Sequence, residues 1–337
     1  MNNEKLEIIN VINKLKTPKL LVIGDFAIDE MIYGKTARIS REAPVLILKH
    51  AETKIILGAA SNAAHNISAL NGGKVKVIGV CGKDLYAPIM KKAFKDANVD
   101  CSLIVEDKDR PTTTKSRISG FSTQSVKQQI VRIDRELNEP VCKKTEDKII
   151  SNIKKAVPDC DGILLSDYNI GVLTDNVINC AIEEANRYGK IITVDAQENL
   201  GRYKGVTCLT PNQPDTEKAV GYEIKTKEDA IRAGKDLLKI TNAKMMLLTR
   251  GDEGMMVFYD DKYFNIPAFN KTDVFDVTGA GDTVVAAFTL ALAAGATPKQ
   301  AATVGNLAAS IVIRQFGCAT TSLAEMIEVW ENLETEI

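Results

Sequence analysis

The sequence predicts an α/β protein: a mostly parallel, doubly wound sheet with helices on both faces and a small inserted β-sheet lid. Three observations carry this. Short apolar runs of strand length alternate with longer helix-like stretches along most of the chain. The runs end in polar or small residues, where a doubly wound sheet meets its ligand. Two further stretches are rich in β-branched residues and lack a helical period.

In chain order, residues 1–19 alternate apolar and charged positions at helical spacing and lack the apolar centre of a signal peptide. Strands are expected at 20–23, 75–80, 162–165, 191–194, 208–210 and 245–249. Helices are expected at 59–70, 85–97, 144–156, 174–188, 226–240 and from Gly281 onward. The strand ends carry Gly24-Asp25, Ser166-Asp167, Asp195, Pro211-Asn212 and Arg250-Gly251. The stretches 31–49 and 112–133 read as hairpins that build the lid. No Gly/Ser linker, low-complexity segment or internal repeat interrupts the chain, so 1–337 is expected to be one domain.

Composition narrows the function. With 337 residues, 45% of them apolar and 26% charged, the chain can bury a sizeable core. A net charge of −1 gives no electrostatic case for nucleic acid or for an anionic membrane. The apolar run 284–296 is too short to span a bilayer, and a cytoplasmic location is expected. Seven Cys with no CxxC read as reduced, mostly buried thiols. With His50 and His65 as the only histidines, a His-based metal site or triad is not expected.

The run Asp276-Val277-Thr278-Gly279-Ala280-Gly281-Asp282-Thr283 feeds a small-residue turn into an apolar helix. Unpaired N–H groups and the helix dipole then make an anion site. An ordinary turn with an acidic first-turn residue gives the same string. On the functional reading, the amides of Ala280, Gly281 and Asp282 hold a transferring phosphoryl group. Asp282 takes the proton of the attacking hydroxyl. Its place at a helix N-terminus predicts a lowered pKa, and the loose transition state of phosphoryl transfer needs only a weak base.

Asp25 reads either as a turn residue or as a sugar-hydroxyl acceptor, with Asp29 four residues on. Gly58-Ala59-Ala60-Ser61-Asn62 reads as tight helix packing or as close approach to a polyol, with Asn62 as donor and acceptor. Arg38, Arg110, Lys115, Arg117 and Arg132 lie in or beside the lid, either solvated or holding a phosphate on the substrate. Asn212 and Asp215 read as a Pro-rich turn or as a polar shell around hydrated Mg²⁺, with Asp215 acting through water. After the first strand stands Gly24-Asp25-Phe26-Ala27 rather than GxGxxG, so a dinucleotide has no cradle there.

Together these stretches resemble the ribokinase/PfkB family of sugar kinases over roughly 20–318. Within it, Arg38–Val45, Arg110–Arg117, Gln128–Asp134, Leu165–Tyr168, Leu209–Asn212 and Val274–Asp282 resemble the heptose 7-phosphate kinases. The resemblance implies a ribokinase-like three-layer α/β/α fold, ATP and Mg²⁺. It implies transfer of the γ-phosphoryl to the anomeric hydroxyl of D-glycero-D-manno-heptose 7-phosphate, and a homodimer joined through the lids. Asp282 would be the base, with Gly279, Ala280 and Gly281 as the anion hole. Asp25, Gly58, Asn62 and the lid cations Arg38, Lys115, Arg117 and Arg132 would hold the sugar phosphate. Asn212, Thr249, Gly251 and Asn306 would border the nucleotide.

The chain departs from the family pattern at Ala59, Asp215, Ile170 and Gln197, where the family has Gly, Glu and two Lys. Another sugar or sugar phosphate, or a non-catalytic sensor on the same scaffold, therefore stand beside the heptose reading. No His follows His65, so a nucleotidyltransferase segment with its His-x-Gly-His motif is not expected.

Overall fold

The structure, a computed structural model, describes residues 3–122, 125–269 and 274–333. The first part of the chain forms α1 (Asn3–Lys14), β1 (Leu20–Gly24), β2 (Phe26–Ile39), β3 (Leu46–Ala59), α2 (Ala60–Asn71), β4 (Val75–Ile78), β5 (Val80–Gly82) and α3 (Tyr86–Asp96). The middle forms β6 (Val105–Asp107), β7 (Thr114–Ser122), β8 (Ser125–Arg135), α4 (Lys143–Ala156), β9 (Gly162–Asp167), α5 (Asp175–Arg187), β10 (Ile191–Ala196) and β11 (Cys208–Leu209). The last part forms α6 (Gln213–Val220), α7 (Lys227–Thr241), β12 (Met245–Thr249), β13 (Met255–Tyr259), β14 (Lys262–Ile266), α8 (Ala280–Ala293), α9 (Pro298–Val312) and α10 (Leu323–Asn332).

Eight strands make the main sheet, in the order β14-β13-β12-β11-β10-β9-β1-β4. The six from β12 to β4 pair in parallel, and β13 and β14 add an antiparallel hairpin at one edge. Alternate side chains feed two cores. Leu20 and Val22 of β1 pack with α1, α2, α8 and α9, whereas Leu21 and Ile23 pack with α4, α5 and α7. Helices therefore cover both faces of a mostly parallel sheet, as expected.

The second sheet has the order β3-β2-β7-β8. It is larger than the stretches 31–49 and 112–133. β2 begins at Phe26, directly after β1, and its first four residues are buried against the core. The expected strand 75–80 breaks at Gly79, where a Cβ would stand 2.5 Å from the Phe26 ring, and β5 leaves to pair with β6. Residues 210–215 are not merely a turn, because α6 starts at Gln213 with Asn212 as its N-cap. Four of the seven thiols are buried. No helix among the described residues is long and apolar enough to cross a membrane.

Ala59 joins β3 to α2 with φ 50° and ψ −139°, a conformation that suits glycine. Ala59→Gly is expected to stabilise the protein by about 1 kcal/mol, the relieved strain less the greater chain entropy of Gly when unfolded. The measurement is a urea midpoint at unchanged slope; a lower midpoint would show that Ala59 is unstrained here.

Candidate functional site

The site is built where α8 begins, beyond the ends of β1, β9 and β10. Asp276 shapes the approach. One carboxylate oxygen accepts from the Thr278 N–H at 3.0 Å and the other from the Gly317 N–H at 2.9 Å. Gly279 then takes φ 77° and caps α8. The Ala280 N–H donates to the Val277 carbonyl at 3.1 Å, so it is not free for a ligand, contrary to expectation. The N–H groups of Gly279, Gly281 and Asp282 have no backbone partner among the described residues and remain as the anion-facing set.

Asp282 is buried, at 6% exposure. Its two carboxylate oxygens accept from Asn62 Nδ2 and from the Tyr168 hydroxyl, both at 2.8 Å. Burial pushes its pKa up to about 6; the Asn62 and Tyr168 hydrogen bonds pull against this, and Asp29 adds to the rise. The expected lowering is thus reversed: removal from water outweighs the helix N-terminus. The result is a better base for neutral conditions than an ordinary carboxylate.

On one side of Asp282 lies the second sheet. Asp29 is buried and receives a hydrogen bond from Arg117 at 3.3 Å. Gly58 lies against it, and a Cβ there would sit 3.0 Å from the carboxylate. Lys115, Arg117 and Arg132 all act on Asp29, although burial still holds its pKa up. Lys115 also reaches Glu136 at 2.8 Å, and Arg132 reaches Asp134 at 2.9 Å. Arg117 and Arg132 stand directly opposite each other on β7 and β8. Like charges in that position repel unless an anion lies between or beside them.

Three expected contacts fall elsewhere. Asp25 is 1% exposed and accepts backbone N–H bonds from Tyr168, Ile170 and Val172 at 2.9, 3.0 and 3.2 Å. It anchors the 168–172 loop and has no open face toward a sugar. Arg110 binds the carbonyls of Leu137, Glu139 and Ile170. Arg38 is exposed near the far end of β2, its guanidinium on the Ile39 carbonyl. It lies nine positions along β2 from Asp29, roughly 30 Å of extended chain.

On the other side of Asp282 is a cavity of about 750 Å³. Asn212, Thr249, Gly251 and Asn306 all line it, together with Ala280 and Gly281. Its remaining wall is largely apolar, including Phe269, Val284 and Ile313. A flat heterocycle at one end and an anion at the other match such a wall and such a helix terminus. Asp215 is not among the residues that line this cavity, and its N–H donates to the Asn212 side-chain cap of α6 at 2.8 Å.

Two residues escaped the sequence reading. Tyr168 holds the Asp282 carboxylate, and only its place just after a strand-end Asp hinted at this contact. Asp195, at the end of β10, has its pKa pushed up to about 7 by burial, with Asp282 and then Asp215 adding. Of the departures, Ile170 is a buried apolar residue whose N–H serves Asp25, and Gln197 is exposed.

A model of the family described as pfkB family carbohydrate kinase matches residues 17–325. The chain belongs to the pfkB family of carbohydrate kinases. Among similar proteins, the Bifunctional protein HldE of Nitratiruptor sp. is 39% identical over 311 residues, covering 92% of this chain and 64% of that protein. That of Geobacter metallireducens is 40% identical over 309 residues, covering 91% and 62%. The chain thus spans under two thirds of the length of these relatives. Among solved structures, Arabidopsis thaliana ribokinase complexed with ribose and ATP aligns with TM-score 0.70 at 17% identity, covering 93% of this chain and 99% of that one. Escherichia coli phosphofructokinase-2 in complex with fructose-6-phosphate aligns with TM-score 0.72 at 18% identity, covering 95% and 100%. At these identities the likeness establishes the ribokinase-like fold.

Proposed function

We propose that this pfkB-family kinase transfers the γ-phosphoryl of Mg-ATP to the anomeric hydroxyl of D-glycero-D-manno-heptose 7-phosphate, giving the 1,7-bisphosphate. The observation that carries the reading is the placement of Asp282. It is a buried carboxylate of raised pKa between a nucleotide-sized cavity and a face bearing Asp29, Arg117 and Arg132. The acceptor hydroxyl would displace the Asn62 or Tyr168 hydrogen bond and give its proton to Asp282 as the phosphorus–oxygen bond forms. The N–H groups of Gly279, Gly281 and Asp282 would carry the charge of the moving phosphoryl group. Gly58 lets the sugar approach Asp29, and Lys115, Arg117 and Arg132 would hold the substrate's own phosphate. Asn212, Thr249, Gly251 and Asn306 would border the nucleotide.

Asp195 and Asp215 would offer Mg²⁺ hard carboxylate oxygens, and burial, with Asp282 and then Asp215 adding, pushes the Asp195 pKa up to about 7. Among the described residues no group of three or more His, Cys, Asp or Glu is placed to hold a metal ion by itself. When bound, the ion neutralises phosphate charge. A homodimer through the second sheet is part of the same reading. That sheet exposes Ile39, Val45, Leu46, Ile130, Val131 and Ile133. Arg38 would then meet substrate only across such a dimer.

The heptose follows from the lid resemblance and from relatives at 39–40% identity. Ile170 and Gln197 favour a second reading, a kinase for a different sugar phosphate, because both expected lysines are missing. The test is acceptor-dependent ADP release with Mg-ATP across heptose 7-phosphate, sedoheptulose 7-phosphate, fructose 6-phosphate, fructose 1-phosphate and ribose. A clear preference in kcat/KM for the heptose phosphate is expected. Preference for another acceptor removes the heptose and keeps the mechanism; no acceptor-dependent turnover removes both.

A further inference from the structure

A second basic cavity, of about 660 Å³, opens between α3, β6 and α4, and no residue of the phosphoryl-transfer site lines it. Its wall carries Lys83, Lys91, Lys108, Lys148 and Lys155 against a single acid, Glu106. Glu106 is taken by Lys91 at 2.5 Å. The other four ammonium groups have no ion-pair partner within 4.0 Å among the described residues. Two other lysines of these helices are paired, Lys92 of α3 with Asp96 and Lys143 of α4 with Glu146 and Asp147.

The chain as a whole carries a net charge of −1, so this concentration is local. It is also built from separate pieces of sequence. Lys148, Ser151, Asn152 and Lys155 form one stripe of α4, at a spacing that places them on a single face. Asn152 fixes that face to β6 through the Leu103 carbonyl at 3.0 Å. Lys83 and Lys108 come from the ends of β5 and β6, which pair with each other. Asp84 and Asp107, their neighbours, are spent on Thr112 and Thr145. Five lysines against one acid, Glu106, which Lys91 and Lys83 share, leave the wall net positive, and an anion that spans it relieves their mutual repulsion. The wall has only Ile104 and Val105 as apolar members and no aromatic ring, so it offers nothing for a nucleobase to stack on.

We propose that this cavity binds a small molecule bearing two or more phosphate groups and no base. A condensed phosphate and a sugar bisphosphate share that chemistry, and the test separates them. Lysine acetylation of the full-length protein is followed residue by residue by mass spectrometry, with tripolyphosphate or fructose 1,6-bisphosphate added. With ligand at about ten times its Kd, acetylation of Lys83, Lys108, Lys148 and Lys155 should slow about tenfold. The exposed Lys235 and Lys262 serve as references and should not change. The probe that protects names the source. In Lys148→Glu/Lys155→Glu, on the exposed face of α4, protection of Lys83 and Lys108 should vanish while the urea midpoint holds. Equal slowing at Lys235 and Lys262, or no slowing with either probe, overturns the proposal.

Discussion

Asp282→Asn should cut kcat/KM by about two to four orders of magnitude while making the protein harder to unfold near neutral pH. The first effect follows from losing the buried carboxylate in the first turn of α8, whose two oxygens are aimed by the Asn62 and Tyr168 hydrogen bonds and which is proposed as the base. The second follows from what Asp282 costs. Its pKa stands at about 6 in the fold against 3.8 when exposed, so the folded state binds the proton more tightly. Its stabilising contribution is therefore complete below about 3.8 and is lost as pH rises through about 6. The corresponding penalty above that range is up to about 3 kcal/mol. An amide escapes this penalty but offers one acceptor in place of two, to Asn62 and Tyr168. The net gain should be about 1 kcal/mol.

The same pKa fixes the pH profile of the wild type. Below about 6 Asp282 is protonated, and with Asp282 as the proposed base kcat/KM should fall about tenfold per pH unit. The acid limb should be missing from any residual activity of Asp282→Asn. Full activity in the variant would remove Asp282 as the base and overturn the proposed mechanism. A lower melting temperature would show that the two hydrogen bonds matter more than the burial penalty.

The contrast between what the residues announce and what the fold does with them is sharpest among the charged groups. Strand periodicity located β1, β9, β10 and β12 because a strand buried on both faces must be apolar throughout. The β13–β14 hairpin was missed, although Asp260 and Asp261 both take positive φ at its turn. Asp-Asp is a weaker turn signal than Asn-Gly. The turn that opens α8 was legible because a run of small residues precedes a long apolar stretch, although the string alone fits an ordinary turn as well. Asp25 and Arg110 were not, because a charged residue at a strand end reads alike whether it meets a ligand or a loop backbone. Only the three N–H groups on Asp25 and the three carbonyls on Arg110 decide it. The pKa of Asp282 failed for a related reason: the helix terminus is visible in the sequence, whereas the depth of burial is a property of the packed chain.

Within the turn, two glycines that look equivalent should behave differently. At Gly279, φ is 77°, and a Cβ would stand 2.5 Å from Asn62 Nδ2 and 3.3 Å from Cys318 Sγ. Gly279→Ala must adopt a left-handed backbone at a cost of about 1–2 kcal/mol and also push Asn62 off the Asp282 carboxylate. The free N–H groups would turn with it, and loss of such a donor typically costs about two to three orders of magnitude in kcat. A Cβ at Gly281 would meet nothing within 4 Å, and φ there is not in the left-handed region. Gly281→Ala should therefore leave the melting temperature unchanged, and any loss of activity would come from crowding the ligand itself. The pair separates fold from function: a large drop in stability confined to Gly279→Ala is expected, with kcat falling in that variant more than KM for ATP rises. Equal stability in the two variants would mean that the Gly279 turn relaxes freely, and that Asn62 does not depend on it to hold the base.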